Sequence, residues 1–418
     1  MNSNRNLTCT LAISILLATG AAYAAETGAT ETETAGTNSP SPSAVEEIFG
    51  GGKVDINIRA RYEGVDQSND RDANALTIRT RLGFTTKAYN GFKGRFQVTN
   101  TTALDGDAYN QAGLNPGGAD RAVVADPEGT DLNQAWLGYT WKATDFLLGR
   151  QRIVLDNARF VGDVGWRQNQ QTFNALYIKD TTFDGWSLHY GYLSQINRVL
   201  GEGHPAGTWD SQSHILNASY DGFSIGKLTG YGYLLEFDNA AVNSTSTFGL
   251  RLAGTHPVGS VKLSYKAEFA SQSDYQNSPL DYSANYYLAD LGVVMDWGTV
   301  GAGYEVLGSG DGVGFKTPLA TLHAFNGWAD QFLVTPSDGL KDLYIKVKAS
   351  LPWELSFLGV YHDFDADTGE KYGSEIDLAI SRKFGDTLKG LIKFADFSSD
   401  RDSRPSVTKL WAQVEFAY

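Results

Sequence analysis

The stretch RQRIVLDNARFVGDVGWRQNQQTF, Arg150–Phe173, carries Arg150, Arg152, Arg159 and Arg167 with little opposing charge. Asn157, Gln168, Asn169, Gln170 and Gln171 lie among them. A guanidinium fork binds a carboxylate through two parallel hydrogen bonds. Amide side chains hydrogen-bond sugar hydroxyls. Together these residue types suit reversible binding of an anionic saccharide, with no bond made or broken. The stretch lies between two segments of strand character, Thr144–Arg152 and Thr172–Lys179. It reads as a loop that, with the strand before it, lines a lumen.

Other chemistries find less support. Gly222-Phe223-Ser224-Ile225-Gly226 matches G-x-S-x-G, but that motif needs a strand–turn–helix elbow and no helix pattern follows. The six histidines are scattered, none in H-E-x-x-H, so a zinc site is not expected. Asp70-x-Asp72-x-Asn74 opens like a calcium loop, but Ala75 stands where glycine belongs. Asp363, Asp365 and Asp367 form a second weak calcium candidate, with Thr368 in place of the glycine. No cofactor, nucleotide or nucleic-acid signal is present, and the chain reads as a non-enzyme.

Met1–Ala24 reads as a signal peptide: Arg5, the apolar run Leu7–Thr19, and the A-x-A site Ala22-Tyr23-Ala24. That run is shorter than the roughly 20 residues of a membrane-spanning helix. The single cysteine, Cys9, lies inside it, so the exported chain would have no disulfide. Residues 25–52 are rich in Thr, Ser, Pro, Glu and Gly, and are expected to be a disordered periplasmic tail.

From Val54 the pattern has period two. Val54, Ile56, Ile58, Ala60 and Tyr62 alternate with Asp55, Asn57, Arg59, Arg61 and Glu63. Leu76, Ile78, Leu82 and Phe84 alternate with Thr77, Arg79, Arg81 and Thr85, and Phe92, Phe96 and Val98 with Lys93, Arg95, Gln97 and Thr99. Segments of about ten residues with two faces recur to the end of the chain, as tilted membrane strands require. The last, Leu410–Tyr418, ends on an aromatic residue.

Short turns are expected at Tyr89–Gly91, Lys142-Ala143, Asp180–Gly185, Asp221-Gly222, His256–Gly259, Trp297-Gly298, Leu351-Pro352 and Gly385-Asp386. Longer connections fall between them: Gly64–Asn74, Ala103–Thr130, Ile153–Gln171, Asn197–Asp210, Asp238–Ser244, Gln272–Ser283, Ser309–Asp338, Asp365–Gly369 and Ser398–Pro405. This alternation predicts an all-β fold for residues 53–418: a transmembrane antiparallel barrel of about 18 strands, with short periplasmic turns and long extracellular loops.

The formal charge of −14 would oppose an anionic cargo if it were evenly spread, but 12 of 17 arginines lie between Arg59 and Arg198. Many acids fall instead in the tail and loops. The lining governs what passes, not the net charge. Facing lipid, an arginine costs about 2–4 kcal/mol near the midplane, so the arginine phase belongs to the lumen. Glu63, Glu268, Asp342, Glu375 and Asp377 would moderate it, so that cargo is recruited and released. The loop Ser309–Asp338 has an aromatic middle, including Phe325, Trp328 and Phe332, unusual for a solvated loop. It is expected to fold inward or cap the mouth. There Trp328 would either stack on sugar or pack against the wall.

The run GRQRIVLDNARFVGDVGWRQNQQTF, with TPLATLHAFNGWADQFLVTPSDGLKDLY (Thr317–Tyr344) and HDFDADTGEKYGSEIDL (His362–Leu378), resembles the alginate export family of outer-membrane porins. The resemblance runs through most of the chain after residue 24. It implies a channel in the outer membrane of a Gram-negative bacterium, a plugged monomeric barrel, and passive passage of alginate or a related uronate. The expected partners are outer-membrane lipid, the barrel-assembly machinery and an anionic oligo- or polysaccharide. Arg150, Arg152, Arg159 and Arg167 match family motif positions. Strand phase adds Arg59, Arg61, Arg79, Arg81 and Arg95, and Asn157, Gln168, Asn169 and Trp328 complete the expected lining. A porin for organic acids or neutral sugars is the alternative, and a barrel enzyme a weaker one. The same pore would serve export or uptake.

Overall fold

The structure, a computed structural model, describes residues 44–418. The expected signal peptide, and the tail up to residue 43, lie outside the described residues. Eighteen strands follow in order. They are β1 Lys53–Gln67, β2 Ala73–Thr85, β3 Phe92–Ala103, β4 Gly129–Trp141, β5 Thr144–Gln151 and β6 Thr172–Asp180. Next come β7 Trp186–Asn197, β8 Thr208–Tyr220, β9 Lys227–Leu235, β10 Thr245–Val258, β11 Val261–Asp274 and β12 Ser283–Met295. The last six are β13 Gly298–Leu307, β14 Leu340–Leu351, β15 Leu355–Asp365, β16 Lys371–Phe384, β17 Leu388–Ser399 and β18 Val407–Ala417.

Each strand pairs antiparallel with the next, and β18 returns to β1 from Asn57↔Ala417 to Gln67↔Val407. Closure leaves no strand edge unpaired, which is what a sheet in hydrocarbon needs.

The burial pattern is inside-out. On β2, Thr77, Arg79 and Arg81 are buried while Leu76, Ile78 and Leu82 are exposed. On β1, Arg61 is 1% exposed and Ile58 39%. A water-soluble barrel would reverse these faces. The apolar exterior and polar interior are those of an outer-membrane barrel.

The eight short turns and nine longer connections fall in the expected order, with shifted bounds: the turn expected at Asp221-Gly222 spans 221–226. His256 and Pro257 continue β10, so their turn shrinks to residues 259–260. β1 runs on to Gln67 because Gly64–Gln67 still pair with β18, and Gly64 and Val65 with β2. This leaves connection 68–72 shorter than turn 86–91, so the length alternation is not strict. At the tip of that turn Asn90 and Gly91 have φ of 48° and 85°. Two consecutive positive φ values are what a two-residue I′ hairpin needs.

Within the stretch expected to be a disordered tail, the described part is ordered. Ala44–Gly50 forms a short helix, α1. Phe49 stacks on Phe84 at 6.0 Å, and Glu47 pairs with Lys87 at 3.2 Å.

The outward reading of the apolar face is testable on β14. Ile345 lies mid-strand and is 54% exposed. Ile345→Arg is expected to lower unfolding free energy in phospholipid vesicles by about 2–4 kcal/mol, read from urea titrations. A change within about 0.5 kcal/mol, as at a water-facing surface, would contradict a lipid-facing β14.

Candidate functional site: an arginine-walled lumen with two infolded loops

Strand phase brings a block of arginines into the lumen. Arg59 and Arg79 stand directly opposite each other on β1 and β2. Like charges so placed repel. Glu415 of β18 answers both, at 3.1 Å from each guanidinium. Arg95 reaches Asp55 at 2.7 Å.

Two long connections fold inward and meet these side chains. In the loop 152–171, the carbonyls of Gly165, Trp166 and Gln168 accept hydrogen bonds from lumen arginines. Arg59 donates to Gly165 O at 3.2 Å, Arg61 to Trp166 O at 2.7 Å and Arg81 to Gln168 O at 2.9 Å. The Arg61 guanidinium also lies 4.0 Å above the Trp166 ring. The loop returns arginines of its own. Arg159 donates to Glu305 of β13 at 2.7 Å and to Asn326 at 2.9 Å. Arg167 bridges Glu63 of β1, at 3.0 Å, and Asp330, at 2.9 Å.

Asn326 and Asp330 belong to the second infolded loop, residues 308–339. The two loops bond directly: Gly162 N donates to Leu319 O and Thr321 N to Ala158 O, each at 2.9 Å. Aromatic rings seat them on the wall. Phe160 packs on Tyr231, Tyr286 and Phe315, and Phe332 on Phe364, Tyr372 and Phe397.

Both loops also close around Lys393 of β17. Its ammonium lies 4.3 Å from the Trp166 ring centre, 3.6 Å from Trp328 and 5.3 Å from Trp411. Such faces attract cations. Its hydrogen-bond partner is His323 Nε2 at 2.6 Å. The other ring nitrogen of His323 faces Asp330 at 2.7 Å. A neutral imidazole fits both contacts, donating from Nδ1 to Asp330 and accepting at Nε2. Burial, aided by Lys393 and Arg167, holds its pKa well below the ordinary histidine value despite Asp330. Burial alone would raise Asp330, but His323, Lys409 and Arg167 outweigh it and hold that carboxyl well below its usual range.

The expected site residues therefore separate into groups. Arg61, Arg159, Arg167 and Gln168 are buried anchors of the infolded loops, not free lining; Gln168 spends its amide on Thr77 and its backbone N–H on Asp126. Arg59, Arg79, Arg81, Arg95 and Arg152 surround one cavity of about 490 Å³ at the periplasmic end, with Asp55, Asp163 and Glu415 as its side-chain carboxylates. Asn157 and Trp328 line a separate cavity of about 250 Å³ against β11–β15. Arg150 and Asn169 reach only a small extracellular cleft, where Arg150 pairs with Glu202.

Trp328 also has a wall role, since Lys393 lies over its ring. The calcium candidate does not assemble. Asp363 pairs with Lys371 at 2.9 Å and Asp367 with Lys341 at 3.1 Å, and among the described residues no three His, Cys, Asp or Glu side chains are placed to hold a metal ion. Gly222–Gly226 is the turn between β8 and β9, with no helix after it.

Sequence reasoning missed Lys393, His323 and the lysines of the second cavity, Lys266 and Lys346. The lumen phase of β11, β14 and β17 was the available signal for the three lysines. Nothing local marks His323.

The sequence model for alginate export matches residues 53–292, more than half of the chain. The chain belongs to the alginate export family. No curated protein matches it. Among solved structures, OccAB4 of Acinetobacter baumannii is similar with a TM-score of 0.71 at 15% identity, over 88% of this chain and 98% of that one. OpdK of Pseudomonas aeruginosa, solved with vanillate, gives 0.71 at 12% identity, over 89% and 99%. OpdP of the same organism gives 0.65 at 14%, over 89% and 92%. These likenesses show a shared fold. Together, family and barrel make this alginate export family member an outer-membrane channel.

Two predictions concern the loops. Arg159→Ala leaves Glu305 buried without its cation, a loss of about 3–5 kcal/mol. It is expected to loosen both infolded loops, read as new proteolytic cleavage within 309–339 and larger, noisier single-channel currents. An unchanged cleavage pattern would contradict the anchoring role.

The second concerns pH. An undocked His323 titrates near about 6.5, while the docked ring titrates well below it. Below about pH 6.5 the undocked state therefore binds the extra proton, and docking weakens as pH falls. The stabilisation from Asp330, whose docked pKa is depressed, persists above its undocked value of about 3.9. Openings should become more frequent between pH 7.5 and 5, and His323→Gln should remove that dependence.

Proposed function

We propose that this channel passes uronate oligosaccharides, with the periplasmic arginine cavity as the site that holds their carboxylates. The observation that carries this reading is a charge imbalance: five guanidinium groups face three side-chain carboxylates around one cavity. Arg81 has no ion-pair partner there, donating to Thr99 and to the Gln168 carbonyl. A carboxylate is the acceptor that fits a guanidinium fork. The carboxylates already present keep such binding reversible, as passage requires.

A specific observation favours a second reading, a channel for small organic carboxylates. Two infolded loops occupy the lumen, and the arginine cavity holds about 490 Å³, room for a short ligand rather than a polymer chain. OpdK, similar in fold, was solved with vanillate, itself a small carboxylate. The two readings share the arginine site and differ in the length of cargo.

Planar-bilayer recording of the full chain tests both. Anion-selective current blocked by oligouronates, but not by neutral maltooligosaccharides, is the expected result. Arg95→Gln and Arg152→Gln should each weaken block about tenfold, the worth of one charge-assisted hydrogen bond. Block by benzoate-sized acids alone would select the second reading. Cation-selective or unblocked current would sink both.

A further inference from the structure

The lumen holds a second cavity, of about 250 Å³, that shares no lining residue with the arginine cavity. Its wall comes from β11, β12, β14 and β15, and its cover from the second infolded loop. On the wall Lys266, Asp290 and Lys346 meet. Lys346 Nζ is hydrogen-bonded to Asp290 Oδ2, Lys266 Nζ lies 3.8 Å from Asp290 Oδ1, and Tyr344 donates its hydroxyl to the same carboxylate at 2.6 Å. Two ammonium groups thus share one carboxylate.

The other acids lining the cavity are already engaged. Glu305 accepts from Arg159, Tyr286 and Asn326. Asp342 faces His362 at 2.8 Å and also accepts from Asn326. At Asp290 itself two ammonium groups answer one carboxylate, and they are accessible, since the side chains of Lys266 and Lys346 remain 40% and 26% exposed.

Part of the remaining lining is apolar. Leu288, Leu358 and Val360 form the wall beside the lysines, and Phe325 and Trp328 of the loop face the same space. A spare cation beside aromatic and aliphatic surface defines a ligand with one carboxylate and one apolar face.

We propose that this cavity is a separate subsite for a single carboxylated ring, in which Lys346 and Lys266 hold the carboxylate and Trp328 and Phe325 cover the ring. The inference rests on the anion-channel reading above and narrows it to cargo presented one acidic ring at a time. A uronic acid residue and a benzoate-type acid share this chemistry. They differ in hydroxyls, which Asn157 at the rim can bind.

Block of the full-length channel by glucuronate, benzoate and glucose tests it. Lys346→Gln removes the spare charge and leaves Lys266 on Asp290. Ala324→Trp fills the cavity from the exposed loop side without touching a charge. Folding of both is checked by heat-modifiable gel mobility. Each variant should raise the dissociation constant for the acids about tenfold and leave weak block by glucose unaltered. Glucuronate outcompeting benzoate assigns the subsite to sugar acids, and the reverse to aromatic acids; both support it. Unaltered block in Lys346→Gln and Ala324→Trp, with loss in Arg95→Gln, would overturn the subsite and leave the channel reading standing. An unblocked native channel would overturn both.

Discussion

Arg59 and Arg79 face each other across two neighbouring strands in a space from which most water is gone. Removing a guanidinium from water costs several kcal/mol unless acceptors replace the lost hydration. The interior is built around that requirement. Glu415 supplies one acceptor for the pair. The barrel wall alone does not supply enough, and backbone carbonyls of the 152–171 loop fill the gap at Arg59, Arg61 and Arg81. The inward fold of that loop is thus less an ornament on the barrel than part of how the arginine wall is neutralised. The loop then brings Arg159 and Arg167 inside, and these in turn need Glu305, Glu63 and Asp330. Asp330 commits the second long loop. Each charge buried by one element is answered by the next, until both loops are fixed.

Much of the architecture was legible because a strand in a membrane wall has two solvents. Leu82 must meet lipid and Arg81 must not, so period two sets the phase of each strand and the turns set the count. Less of the site was legible. Arg159 and Arg152 look alike in sequence, two arginines in one polar loop, yet Arg159 is a buried anchor and Arg152 stands at an open cavity. The difference lies in which part of the loop meets Glu305 on β13, and that contact spans 146 positions. The cage around Lys393 draws on Trp166, Trp328 and Trp411, residues with no local pattern in common. Bulges were hidden for a related reason. A register shift at Gln97 turns Asn133 and Gln134 both inward, where each donates to Gln97 Oε1. Strict alternation would have sent one of them to lipid.

On the proposed reading, the two cavities divide the recognition chemistry by cation type. Arginine forks dominate the periplasmic cavity, where planar bidentate contacts suit carboxylates approaching along the wall. Lysines dominate the second, where a compact ammonium sits beside aromatic rings. A lysine head is a point charge on a flexible stem, and it tolerates cargo in more than one orientation. On the proposed reading, cargo held at one place by planar forks and at the other by a point charge and aromatic cover can leave the first without losing all attraction, which keeps each individual step shallow.

The acid-rich exterior is compatible with this interior. A formal charge of −14 acts at long range and is screened over about 8 Å in physiological salt. Inside the lumen the arginines and lysines of the two cavities lie close to carboxylates of the same walls. The influence of exposed loop acids falls off with salt more steeply than that of charges buried in the lumen. Salt therefore weakens any repulsion by the loop acids before it loosens the infolded loops, whose anchors Arg159 and Arg167 are buried.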